Sequence, residues 1–249
     1  MIVNPLKARL HAGETVRGCF IRSPDPDLAE YVAAAGWDFC VFDGEHGRVA
    51  HTDIANLARA AEVRGVSPIA RVPRNEPSII LRYLDAGVHG IHVPWVNSPE
   101  EAHRAVEAAK YRPRGNRGLA GNRSIDWSAT PETVAQANAE TMVIIHIETA
   151  EAVERIDGYL EVPDIDVLFV GPTDLSHSLG HPGRRDHPDV VAAIERVVAA
   201  VAETTRPALG IYAGDTETAR RWIRRGARYV TTGVESLLGP AMAEYLERT

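Results

Sequence analysis

Along the chain, short runs of apolar and often β-branched residues alternate with longer segments whose apolar positions recur at helical spacing. Eight runs read as strands: Val16–Ile21, Phe39–Asp43, Pro68–Val72, Gly90–Val93, Met142–Glu148, Val167–Val170, Ala208–Tyr212 and Tyr229–Thr232. Each is short and mostly apolar, the pattern of a parallel strand covered on both faces. The segments between them carry helix start signals. Ser98-Pro99-Glu100-Glu101 places a serine at the N-cap, a proline at the first helical position and a glutamate at the capping-box position. Several helical segments stop at glycine (Gly36, Gly65, Gly87, Gly226), the common C-terminal residue. A last helix is expected over Ser236–Leu246, able to pack on its own barrel or on a neighbour's.

Eight β/α units in 249 residues predict an α/β fold with one (β/α)8 TIM barrel, a single domain over 1–249. A doubly wound open sheet is the alternative, but no strand run is followed by GxGxxG. The long irregular stretch 111–127 follows a helix, so it is expected to cap the barrel or to meet a partner subunit.

In a barrel the chemistry gathers at the C-terminal ends of the strands. Strand two ends in Asp43-Gly44-Glu45-His46-Gly47, strand three in Arg71, strand five in His146-Ile147-Glu148-Thr149, and strand six runs into Gly171-Pro172-Thr173-Asp174. Glu148 and Asp174, at the ends of neighbouring strands, form a carboxylate pair that needs a cation or a proton. A hard divalent metal answers that need, with salt bridges to arginine or simple solvation as the plainer reading. His46, flanked by glycines and close to Asp43, has the setting of a general base. Asp85 is a second candidate for its orienting carboxylate, and a structural histidine is the plainer reading. Arg71 is a rim ion pair or a fixed donor to a developing oxyanion. His92 falls inside strand four and is the less persuasive imidazole.

Composition narrows the chemistry. The chain has 45% apolar and 24% charged residues, ordinary for a globular protein. A net charge of −7 without a basic tract argues against a nucleic-acid partner. No apolar run approaches the roughly 18 residues of a membrane span, and the N-terminal MIVNPLKARLHAGETVRG lacks the layout of a secretory leader. Cys19 and Cys40 read as reduced thiols, so a cytoplasmic location is expected. The 27 basic residues include two lysines, Lys7 and Lys110, neither placed at a strand end. A Schiff-base mechanism is therefore not expected. Bond-making beside a carbonyl would fall to a metal as electron sink.

Taken together, these motifs resemble the HpcH/HpaI aldolase family, the metal-dependent pyruvate aldolases. The likeness is carried in order by GCFIRSPDPDLAEYVAAAGWDF, FDGEHG, ARVP, YLDAGVHGIHVPWVNSPEEA, YRPRGNRG, IHIETAEAVERID, FVGPTDLSHSLG and TTGVES. The resemblance implies a barrel of the phosphoenolpyruvate/pyruvate superfamily type, assembled as a hexamer (a trimer of dimers). It implies Glu148 and Asp174 as ligands of Mg²⁺, Mn²⁺ or Co²⁺, and His46 as the base. It implies Asp85 as the acid supporting His46, with Asp43 in the same network, and Arg71 as the residue facing the enolate oxygen. Arg71, His146, Thr173 and Asp174 are the implied substrate contacts. Members acting on long hydroxy-oxo-diacids usually carry Gln at the position of His146 and Ala at that of Thr173, so the acceptor aldehyde stays open. So does the choice between substrate and metal as the contact of His146. The expected activity is a divalent-metal-dependent aldolase cleaving 4-hydroxy-2-oxo acids to pyruvate and an aldehyde, or the reverse, with no nucleotide cofactor. The alternatives are an acyl-CoA lyase, its nucleotide on arginines 112, 114, 117 and 123, a phosphosugar isomerase or epimerase, and a non-catalytic barrel.

Overall fold

The computed structural model describes residues 3–249. The chain runs α1 (Pro5–His11), β1 (Val16–Ile21), α2 (Pro26–Ala34), β2 (Phe39–Asp43), α3 (His51–Glu62), β3 (Ser67–Arg71), α4 (Pro77–Asp85), β4 (Gly90–Val93) and α5 (Pro99–Ala109). It continues through α6 (Pro131–Glu140), β5 (Met142–Ile147), α7 (Ala150–Glu154), α8 (Ile156–Leu160), β6 (Val167–Val170) and α9 (Pro172–Ser178). It closes with α10 (Pro188–Ala202), β7 (Ala208–Tyr212), α11 (Thr216–Arg224), β8 (Tyr229–Gly233) and α12 (Val234–Arg248). The eight strands form a closed parallel barrel in chain order, with β8 paired to β1.

All eight strand runs are strands, because burial on both faces imprints itself on the sequence as an apolar run. The third begins one residue earlier than its apolar pattern, at Ser67, and the fifth stops at Ile147, leaving Glu148 just past the strand. The helices α1, α7, α8 and α9 are absent from the pattern. Each has five to seven residues, too few to display helical periodicity.

Two apolar layers stabilise the barrel. One fills the space between strands and helices; the other is the barrel interior, built from Phe20, Phe39, Val41, Ile69, Met142, Ile144, Val167, Phe169 and Tyr229. Leu6 and Leu10 of α1 join the interior layer, so this helix plugs the N-terminal end. Close packing inside requires small residues opposite large ones. A Cβ on Gly18 would lie 2.0 Å from Cε2 of Phe39, so only glycine leaves room for that ring.

Successive strand residues face opposite sides, so the inward set follows a period of two. From Phe39, Val41, Ile69, Met142 and Ile144, that period carries inward to Asp43, Arg71, His146 and Glu148. Polar groups are thus stacked above an apolar plug. Pairing places Asp43 beside Arg71 and Arg71 beside His92 across β2, β3 and β4.

The stretch 111–127 joins the end of α5 to α6 and β5, and by topology it lies at the N-terminal end of the barrel. Lys110 Nζ donates there to the carbonyls of Asn138 (2.9 Å) and Thr141 (2.6 Å). Arg123 pairs with Glu62, and Arg114 with Asp164. Of the two roles expected for this stretch, capping is the one visible in the chain. Both lysines belong to this end: Lys7 Nζ lies 3.1 Å from Asp166 Oδ1. Burial pulls the Lys110 ammonium down to about 7, with repulsion from Lys7 added and attraction by Asp166 opposing.

Candidate active site at the barrel mouth

A cavity of about 390 Å³ opens at the C-terminal ends of the strands, lined by His46, Arg71, His146, Glu148, Thr173 and Asp174 among others. Six of the eight expected site residues therefore meet in one place.

Asp43 is fully buried and organises the floor. Its Oδ1 accepts from Arg71 Nε (2.8 Å) and from the backbone N–H groups of Glu45 (3.1 Å) and His46 (3.2 Å). Its Oδ2 accepts from Arg71 Nη2 (2.6 Å). One carboxylate thus fixes the guanidinium and shapes the turn that presents His46. Burial pushes the Asp43 carboxyl up, but its bonds to Arg71, His46 and Glu45 outweigh this and hold it below the usual range. Burial likewise opposes the Arg71 charge, and Asp43, Glu45 and Glu148 more than restore it. Arg71 Nη1 lies 2.8 Å from Glu45 Oε2, and the guanidinium lies 5.0 Å from the Phe20 ring centroid. A guanidinium has five N–H donors. The bonds to Asp43 use the Nε hydrogen and one on Nη2, leaving the second Nη2 hydrogen and those of Nη1, which meets Glu45 as an ion pair without a hydrogen bond.

Glu148 is 2% exposed, yet both of its oxygens are engaged. Oε1 accepts from the Trp95 backbone N–H (2.7 Å), and Oε2 lies 2.9 Å from His146 Nδ1. Burial raises this carboxyl; His146, the Trp95 N–H and Arg71 overcome that, so Glu148 is held ionised. Trp95 carries φ of 53°, a left-handed conformation that costs about 1–3 kcal/mol for a non-glycine residue and here aims its N–H at Glu148. Its indole Nε1 donates to Glu45 Oε1 (2.7 Å). Burial and the charge of Glu148 raise the Glu45 carboxyl, with Arg71 opposing.

Two residues depart from expectation. Asp85 ends α4 on the side of the barrel opposite the mouth, because a helix after a parallel strand runs back to the strand's N-terminal end. Its Oδ1 accepts from Arg117 Nη2 (2.6 Å) and Asn122 Nδ2 (3.0 Å), so within this chain it does not support His46. Among the described residues, the carboxylate within 4.0 Å of the His46 ring is instead that of Glu45. His146 has both ring nitrogens occupied, Nδ1 by Glu148 and Nε2 by His92 Nδ1 (2.9 Å), and so serves neither as a free substrate donor nor as a third metal contact. Glu45, Trp95, His92 and Tyr229 were not legible as site residues. For Glu45 a signal existed, its place in Asp43-Gly44-Glu45-His46-Gly47. The others sit in or after apolar strand runs.

A family model described as HpcH/HpaI aldolase/citrate lyase matches residues 17–239. The chain belongs to that family. Among characterised relatives, the pyruvate aldolase of Rhizobium etli is 37% identical over 237 residues, spanning 95% of this chain and 93% of its own. The 5-keto-4-deoxy-D-glucarate aldolase of Salmonella newport is 36% identical over 231 residues, 92% of this chain and 90% of its own. The crystal structure of an HpcH/HpaI aldolase/citrate lyase family protein from Burkholderia cenocepacia superposes with a TM-score of 0.93 at 35% identity, covering 99% of both chains. The expectation of an aldolase is met at the level of the family.

The donor set of this HpcH/HpaI aldolase suits a hard divalent cation. Glu148 offers an ionised carboxylate, and the Asp174 carboxylate on α9 has no hydrogen bond or ion pair among the described residues. Gly171 keeps the space beside Glu148 open, since a Cβ there would lie 2.8 Å from Oε2. Two carboxylates with open space beside them are how Mg²⁺-type ions are commonly held, water and substrate oxygens completing the shell.

Proposed function

We propose that this barrel is a divalent-metal-dependent aldolase that splits 4-hydroxy-2-oxo acids into pyruvate and an aldehyde, or joins them. The observation that carries the reading is the arrangement of one cavity. A guanidinium locked by Asp43 and Glu45 shares the cavity with an ionised Glu148 and with Asp174, which no described residue pairs. Glu148 and Asp174 would hold the cation, which supplies Lewis-acid polarisation of the 2-oxo group.

The remaining work belongs to the chain's own side chains. In cleavage, His46 at the cavity rim takes the proton of the 4-hydroxyl. The C3–C4 bonding pair moves into C2–C3, the aldehyde departs, and negative charge gathers on the C2 oxygen. Arg71, fixed by Asp43 at the cavity wall, would meet that charge with the hydrogens that Asp43 leaves free, so little reorganisation is needed when it forms. A proton returned to C3 completes pyruvate. The two lysines lie at the other end of the barrel, which supports a mechanism without a Schiff base. The arginines expected to hold a CoA nucleotide lie there as well, and Arg114, Arg117 and Arg123 are engaged in ion pairs. This favours the aldolase over the acyl-CoA lyase.

The test is to dialyse the protein against EDTA and assay pyruvate with glycolaldehyde. Activity is expected to vanish and to return with Mg²⁺, Mn²⁺ or Co²⁺. Full turnover by metal-free protein rejects the mechanism.

We also propose that the protein works as a homo-oligomer, on the pattern of a hexamer. None of the 15 residues of α12 is buried, and Leu237, Leu238, Met242, Tyr245 and Leu246 stand 46–74% exposed. A helix this apolar and this exposed marks a contact surface, and a second copy of the chain is the occupant proposed. Light scattering is expected to give a mass of several subunits, and Leu238→Glu with Leu246→Glu to reduce it; a monomeric parent protein refutes the assembly. Among the described residues, no helix is long and apolar enough to cross a membrane. Cys19 and Cys40 are free and buried, and burial raises both thiols to about 12, in keeping with a cytoplasmic setting.

A further inference from the structure

We propose that Tyr229, His92 and His146 form a buried relay of hydrogen bonds that orients Glu148; in this relay His92 and Tyr229 are positioning residues that touch neither substrate nor cation. The relay crosses the barrel interior. Tyr229 Oη lies 2.8 Å from His92 Nε2, His92 Nδ1 lies 2.9 Å from His146 Nε2, and His146 Nδ1 lies 2.9 Å from Glu148 Oε2. None of the four residues is more than 2% exposed. As far as the relay bears on a cation ligand, the inference rests on the metal reading above.

The direction of the relay follows from counting donors. An ionised carboxylate only accepts, so His146 Nδ1 carries a hydrogen. A neutral imidazole has one donor and one acceptor nitrogen, so His146 Nε2 accepts from His92 Nδ1. His92 Nε2 is then an acceptor, and the Tyr229 hydroxyl is its donor. Every nitrogen and oxygen is satisfied with both imidazoles neutral, and no other distribution of hydrogens does this while Glu148 is charged and the imidazoles are neutral. Burial favours the neutral forms of Tyr229 and His92, pushing the hydroxyl up and the imidazole down. Aromatic walls fix the rings: His92 meets Phe20 and Phe169 edge-on at centroid distances of 5.5 and 5.0 Å, and His146 lies 4.8 Å from Phe169.

Branched apolar residues would ordinarily fill these layers of a barrel. A polar chain buried there must be satisfied throughout, and when it is, it holds one geometry. Here the geometry held is that of a carboxylate with one oxygen on Trp95 and the other on His146, its open side toward Gly171. Partners that orient a metal ligand from behind typically contribute 10–100-fold in metal affinity.

The test compares isosteres at position 92. His92→Leu and His92→Asn have the same shape, but only asparagine keeps an N–H for His146 Nε2. Mn²⁺ affinity is read by electron paramagnetic resonance, with melting temperature as the check on folding. His92→Leu is expected to weaken Mn²⁺ binding about 10–100-fold, while His92→Asn stays close to the unaltered protein. Equal affinity in the two variants overturns the relay. If neither folds, Tyr229→Phe decides, since it removes one hydroxyl: weaker Mn²⁺ binding supports the relay, and unchanged binding overturns it. If the unaltered protein binds no Mn²⁺, the cation reading falls. The relay is then judged in metal-free protein by ¹⁵N NMR, where hydrogens on Nδ1 of both His92 and His146 support it and a hydrogen on His146 Nε2 overturns it.

Discussion

Arg71→Ala is expected to lower kcat by about 10²–10³, the usual loss when one preorganised oxyanion donor is removed. The loss should appear in kcat more than in KM, because the charge that Arg71 meets develops only in the transition state. Folding is also affected. The substitution strands Asp43 and Glu45, which Arg71 bridges at 2.6 and 2.8 Å. Breaking a buried ion pair from one side costs about 3–5 kcal/mol, although Asp43 retains its two backbone donors. Arg71→Lys separates the effects. It restores a positive charge without the planar fork, so it should recover more stability than turnover. Denaturant melts and steady-state kinetics on the two variants decide the matter, and near-normal kcat in a folded Arg71→Ala removes Arg71 from the chemistry.

Glu148→Gln is expected to have the second large effect. Glutamine keeps the shape of the side chain and an oxygen for the Trp95 N–H, but it removes the charge. Mn²⁺ affinity should fall by more than the roughly 10–100-fold typical of an outer partner, and activity should recover only partly at high metal. His146 Nδ1 also loses its carboxylate, and the relay behind it loses the acceptor that sets its direction. Calorimetric titration with Mn²⁺ checks this, and unchanged affinity removes Glu148 from the ligand set.

How far the site was legible depends on which force places each residue. Asp43, Arg71 and Glu148 could be found because a polar residue at the end of an apolar run interrupts a pattern set by burial. His46 could be found because two glycines mark the turn that carries it. Asp85 does not reach His46 within this chain, because the direction of α4 carries it to the far end of the barrel, where Arg117 holds it. The family resemblance gave His146 as a substrate or metal contact, and it lies two residues before Glu148, on the same side of the strand. That same adjacency lets it turn back and bond Glu148 instead.

The amino-acid sequence alone determined the barrel, the order of its strands and the end at which the polar groups gather. Those depend on local burial and on a period of two, both written along the chain. Tertiary structure alone decided what each polar group holds. Trp95 reaches Glu148 and Glu45 from a left-handed bend, and Tyr229 reaches His92 from the opposite wall. Contacts between residues 50 to 137 positions apart are set by strand register and closure, which the order of residues along a single strand does not encode.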